Sequence, residues 1–210
     1  AMRANTTGHS NVAVGKDALL VNTTGVENTA VGVLALDANT TGGSNVAVGQ
    51  AALSSNSTGS NNTAVGKSAA ASTTTGSQNT AVGTGALGVN STADNNTAVG
   101  YNTLDANSTG AENTAVGMNA LGANTTGGSN IAMGVNALAN NTTASNNLGL
   151  GRSALSQNTT GANNTAVGYQ TLNSNTTASN NTGMGHNTLA NNETGTGNVG
   201  VGYEVLQANL

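Results

Sequence analysis

A metal site or an acid–base pair needs imidazole and carboxylate groups brought close together. This chain offers two His, eight Asp or Glu and four Lys or Arg in 210 residues. His9 and His186 are the candidate metal ligands or general bases, and Asp37 and Asp105 the candidate paired carboxylates. Asn107-Ser108-Thr109 and its copies match the N-glycosylation sequon, and glycine-closed corners such as Val99-Gly100 invite comparison with phosphate-cradling loops. Lys16, Lys67, Arg152, Tyr101, Tyr169 and Tyr203 supply cationic and amphipathic groups suited to recognising a ligand or a neighbouring subunit. Which of these residues can meet depends on the elements that carry them.

Those elements are set by a repeat. Asn opens a motif of the type NTAVG at residues 11, 28, 45 and every seventeenth position to 198, with no insertion or deletion. Twelve turns in strict register mark a stacked architecture, and 17 residues are too few for a helix pair. The fold class read from the spacing is all-β: a single-stack parallel β-solenoid, a β-roll or β-helix, with twelve 17-residue turns forming one domain over residues 1–210. In each turn a run such as Thr97-Ala98-Val99 ends at Gly100, and a second run around Thr103-Leu104 ends near Asn107 to Gly110. Strand, corner, strand, corner is the expected circuit. At roughly 4.8 Å per turn the rod is expected to be roughly 55 to 60 Å long.

Stacking each residue on the one 17 places later separates inside from outside. The column from Leu19 to Leu206 is Leu except at Ala70, with Met2 in the partial first turn, and is assigned to the core. The column of Val14, Val31 and Val48, which later admits Met133, Leu150 and Met184, is assigned to buried positions, either inside the coil or at a subunit contact. If Val99 points inward, Ala98 forms a flat outer strip; if it points outward, a Thr/Val stripe is exposed. The Asn11 column is expected to form an amide ladder that also satisfies corner backbone groups. The Gly15 column suits a corner of positive φ. Charged residues fall in the remaining columns, which are expected to face water. Because Glu193 occupies the middle of the triplet that elsewhere reads Asn107-Ser108-Thr109, an extended triplet turns Asn107 and Thr109 inward.

The candidate chemistry then falls apart. His9 and His186 lie in different columns some ten turns apart. Asp37 and Asp105 share a column but stand four turns, or roughly 19 Å, from one another. The glycines lack the GxGxxG or P-loop Lys context of a phosphate site, and the sequons are by-products of Asn and Thr columns. No catalytic residue, cofactor-binding residue or metal ligand is predicted, no cofactor is implied, and the chain is not read as an enzyme. With a net charge of −4 and so few Lys and Arg, nucleic acid is not an expected partner. No apolar run approaches the roughly 18 residues that span a bilayer, so membrane insertion is not expected. The absence of Cys excludes a disulfide framework.

The motif Ala-Val-Gly-x-Asn-Ala-Leu at residues 115–121, and its relative Ile131 to Leu138, resembles the repeats in head domains of trimeric autotransporter adhesins and of related phage tail-fibre β-solenoids. The resemblance implies a left-handed parallel β-roll, usually trimeric, whose surface binds host matrix or receptor. The turn here is longer by an N-x-T-G corner. The functional expectation is a non-enzymatic structural β-solenoid, extracellular or at the cell surface, acting as a self-associating fibre, filament or adhesin segment. A phage tail-fibre shaft is one alternative, and an ice-binding protein using regular Thr columns is another. The expected partner is another copy of the chain, end to end or laterally as in a trimer, with a host surface or matrix as a further one. The column of Lys16, Lys67, Tyr101, Arg152, Tyr169 and Tyr203 is the candidate contact line. No terminal caps are expected, so Met2, Asn5, Leu206 and Asn209 are the candidate end-to-end stacking residues.

Overall fold

The three-residue run that opens each repeat is a strand, and it is the sole strand of its coil among the described residues. The computed structural model describes residues 1–207. Within the first compact unit, Ala1–Thr109, the strands are β1 (Val12–Val14), β2 (Thr29–Val31), β3 (Val46–Val48), β4 (Thr63–Val65), β5 (Thr80–Val82) and β6 (Thr97–Val99). Each pairs in parallel with the next, and every residue faces its copy 17 places on, as Ala30 faces Ala47. The second unit, Gly110–Leu210, repeats the scheme with β7 (Thr114–Val116), β8 (Ile131–Met133), β9 (Leu148–Leu150), β10 (Thr165–Val167), β11 (Thr182–Met184) and β12 (Val199–Val201). Each unit is thus a parallel β-solenoid of 17-residue coils.

The expected second strand is absent. Residues such as 50–55 form consecutive turns, because two of them in each coil adopt left-handed backbone: Ala51 at φ 55° and Leu53 at φ 50°, repeated at Leu34 and Leu36 and at Asn136 and Leu138. A left-handed Leu costs on the order of 1 kcal/mol. Full burial of its side chain contributes about 1.5–3 kcal/mol, so packing overrides the local preference. The turn segment still bonds from coil to coil: the Leu53 N–H donates to the Ala69 carbonyl at 3.0 Å and the Ala51 N–H to the Val33 carbonyl at 2.9 Å. The corner glycine is obligatory for a different reason. Gly49 has φ 139°, and a Cβ there would lie 2.4 Å from the Gly66 carbonyl oxygen.

The core is thin. It consists of strand Ala such as Ala47 and Ala64, turn Ala and Leu such as Ala52 and Leu53, and two columns of Asn, all fully buried or nearly so. Strand alternation sends the middle residue inward, so Ala takes the core position and its two neighbours face out. Volume is exchanged between coils in the second unit. Thr171 and Thr188 replace the turn Ala, and the strand residue of the next coil becomes Gly183 or Gly200, where a Cβ would lie 2.6 Å and 2.8 Å from the respective Thr Cγ2.

Both Asn columns are ladders. Asn45 Nδ2 donates to Asn28 Oδ1 at 3.1 Å and to the Gly59 carbonyl at 2.9 Å, while its Oδ1 accepts from the Asn62 N–H at 2.9 Å. In the second column Asn39 Nδ2 donates to Asn22 Oδ1 at 2.8 Å and to the Gly42 carbonyl at 3.0 Å. Thr73 interrupts this second ladder, and the consequence is local: the buried Asn56 Oδ1 and Thr73 Oγ1 have no hydrogen-bond partner. Replacing Thr73 by Asn supplies the missing Nδ2 to Asn56, and stabilisation of about 1–2 kcal/mol is expected. Thermal or urea melting of Thr73→Asn beside the parent checks this; no gain would mean that the gap is filled by other means.

Candidate functional site

Three lines of side chains leave the coil, and each has its own chemistry. The first is the outer face of the sheet. In β1 to β6 the outward pairs are Val or Thr throughout, from Val12 and Val14 to Thr97 and Val99. Val14 is 58% exposed, and Val48 and Val65 are also exposed. In the second unit the same face carries Ile131, Met133, Leu150 and Met184, all exposed. The Val14 column is therefore not inside the coil. The strand has three residues with Ala in the middle, and two β-branched neighbours pointing the other way is the arrangement that fits the narrow interior. No charged residue occupies these positions.

The second line corrects the inward assignment of the Thr109 column. Thr24, Thr41, Thr58, Thr75, Thr92 and Thr109 are exposed, as are Thr126, Thr143, Thr160, Thr177 and Thr194. The alternation argument fails because the triplet is a bend and not an extended strand. Its middle residue is half-buried instead, with its hydroxyl turned back: Thr23 Oγ1 donates to the Thr40 carbonyl and Thr40 Oγ1 to the Ser57 carbonyl, both at 3.0 Å. The Asn that opens the triplet points inward as expected; Asn39 and Asn56 are fully buried. Their Nδ2 groups are committed to the ladder, so these sequons offer no accessible amide in the folded chain. A sequence signal for the Thr line existed in its composition. It is Thr in every turn, while the adjacent position mixes Thr, Ser and Glu193.

The third line is the candidate contact column. Lys16, Lys67, Tyr101, Arg152, Tyr169 and Tyr203 are all exposed, as a water-facing column requires. In the second unit the column forms a ring stack: His186 lies between Tyr169, at a centroid distance of 5.1 Å, and Tyr203, at 5.2 Å. Tyr101 lies in the first unit, where the same column runs through Lys67 and Thr84 and holds no second ring. A hydrogen bond from Tyr203 to Glu204 and the charge of that carboxylate raise the Tyr203 phenol above its ordinary value.

Two acids are less exposed than their column predicted. Asp37 and Asp105 are half-buried, and burial raises both carboxyls above the usual range; the charge of Asp17 adds to the effect at Asp37. Asp37 Oδ1 has no hydrogen-bond partner. Asp105 packs over two small residues of the preceding coil, Gly85 and Gly88, and a Cβ on Gly88 would lie 2.5 Å from its Oδ1. Among the candidate stacking residues, Met2 is half-buried and Asn5 Oδ1 accepts from Asn22 Nδ2 at 3.0 Å, so both continue their columns. Leu206 is exposed, and Asn209 lies outside the described residues. Among the described residues no cavity opens on the surface, and no three His, Asp or Glu side chains stand close enough to share a metal ion. No described helix is long and apolar enough to cross a membrane. Compared with protein-family models, curated proteins and solved structures, the chain gives no match.

Proposed function

We propose that this chain is a non-enzymatic structural β-solenoid, extracellular or at the cell surface, which associates with copies of itself along the outer face of its sheet and serves as a fibre or adhesin segment. The observation that carries the reading is the exposed row on the strands of each unit, of Val in the first and of Val, Ile, Leu and Met in the second. An uncharged apolar stripe that runs in register through consecutive coils is a surface suited to a second subunit. On the N-terminal side of the strands the exposed column of Ser10, Glu27, Ser44 and Asn61 forms a polar margin to it. The ring line of Tyr169, His186 and Tyr203 is a second region where a neighbouring chain or a matrix component would find amphipathic contacts.

Sedimentation velocity over a concentration series tests the proposal. The parent is expected to sediment as an oligomer. Val48→Lys combined with Val65→Lys, which places two charges on the sheet face without touching the core, is expected to give a folded monomer. A parent that stays monomeric at the highest concentration overturns the reading.

A further inference from the structure

An exposed column in a repeat is free to vary unless something outside the coil selects its residue. The line after each Gly corner shows that freedom, running through Lys16, Val33, Gln50, Lys67, Thr84 and Tyr101 in the first unit. The line Thr24, Thr41, Thr58, Thr75 and Thr92 is exposed too, yet it never changes. It is never Ser, although the adjacent position accepts Ser57 and Ser91; it is never Val, although the first strand position alternates between Thr29 and Val46. The selected property is therefore the methyl and the hydroxyl together.

The geometry of these groups is fixed, and their hydroxyls are unused within the protein. None of the five Thr Oγ1 atoms has a hydrogen-bond partner among the described residues, in contrast to Thr23, Thr40 and Thr74, whose hydroxyls donate to the backbone of the next coil at 2.9–3.0 Å. The peptide N–H of Thr24, Thr41, Thr58 and Thr75 donates to the neighbouring coil at 3.2–3.3 Å. The main chain at each Thr is thereby held at the stacking rise of ~4.8 Å. The result is a row of identical methyl–hydroxyl residues repeated once per coil, and the row itself carries no charge.

We propose that this row adsorbs to crystalline ice. One hydroxyl facing liquid water gains almost nothing, because it exchanges one hydrogen bond for another. A row whose spacing is close to an oxygen row of the ice lattice is different: the ordering is already supplied by the fold, each further Thr engages the same crystal plane, and the contacts add. The methyl groups exclude disordered water between the anchored molecules. A protein or glycan without that translational repeat meets one or two hydroxyls and gains no such sum. The row is separate from the outer face of the sheet, so the inference does not rest on self-association there.

Thermal hysteresis of the purified full chain is the test, with crystal shaping observed in parallel. The parent is expected to depress the freezing point without lowering the melting point, and to facet growing ice. Thr41→Tyr with Thr75→Tyr should reduce the hysteresis on the order of tenfold, because the row then loses its common plane. The isosteric pair Thr41→Val with Thr75→Val keeps the shape and removes only the hydroxyls, and is expected to lose activity with an unchanged melting curve. Ser55→Tyr with Ser72→Tyr, at exposed positions outside both the Thr row and the sheet face, should keep the parent's hysteresis. Absence of hysteresis in the parent overturns the inference, as does loss of activity from the Ser55 and Ser72 pair but not from the Thr pairs. Sedimentation of the same variants reports the sheet-face association independently.

Discussion

Leu138→Asp will destabilise the second unit by about 5 kcal/mol or more, whereas Asn136→Asp, two residues earlier, will stay within about 0.5 kcal/mol of the parent. Both residues have left-handed backbone, at φ 51° and 58°, so backbone tolerance does not separate them. Their surroundings do. Leu138 is fully buried, stacked in the column between Leu121 and Leu155. An aspartate there is a charge without a partner in an apolar seam, and the lost Leu packing adds to the penalty. Asn136 is half-exposed in a column that already holds Glu204, and its Oδ1 accepts from Asn119 Nδ2 at 3.0 Å, a bond a carboxylate also accepts. Because every coil covers its neighbours, loss at Leu138 is expected to spread to the adjacent turns. Urea melts of the two variants check the contrast. Equal midpoints would show that the Leu column is not the core.

Asn45→Ala is expected to cost about 2–4 kcal/mol, more than a typical hydrogen-bond deletion, because it strands the buried Asn62 N–H, takes one of two donors from the Gly59 carbonyl and leaves a cavity. The Asn62 N–H loses its 2.9 Å acceptor, while the Gly59 carbonyl loses its 2.9 Å donor and keeps Asn56 Nδ2 at 3.0 Å. Asn45→Asp separates the two halves of this role. A carboxylate still accepts from Asn62 but turns an anion toward the Gly59 carbonyl and Asn28 Oδ1, where an amide donor belongs. Burial beside two acceptors raises the pKa of the introduced carboxyl in the folded chain above its unfolded value. With a raised folded pKa the native state binds more protons, so the variant's stability is greatest below the unfolded value and falls as pH rises through the folded one. When protonated, the introduced carboxyl can donate to the Gly59 carbonyl and so mimics the amide. Asn45→Asp should therefore approach the parent's stability in acid and approach that of Asn45→Ala at neutral pH. Urea melts across that pH range check this, and a pH-independent difference from the parent would show that the ladder is not held by directed donors and acceptors.

The repeat made most of this molecule legible. A strict 17-residue period with Gly, Asn and Leu columns permits few stackings, so the parallel solenoid, the buried Leu side chains, the amide ladder and the positive-φ Gly corner all follow from the residues. Column context even sorted identical residues: Leu34 stands in a line with Asp17 and Glu204 and is exposed, while Leu36 is fully buried. What needed the tertiary structure was the direction of side chains within a coil. Period-2 alternation applies only to extended backbone. The left-handed residues at Ala51 and Leu53 replace the expected second strand by turns, and the bend at Thr40-Thr41 turns the Thr line outward. Local propensity does not predict a left-handed Leu, because its cost is met by burial that exists only once neighbouring coils are in place. The outward aim of Val14 was undecidable for a related reason. Val and Ala both suit an interior, and only the width left between the strand and the Leu column admits the smaller one.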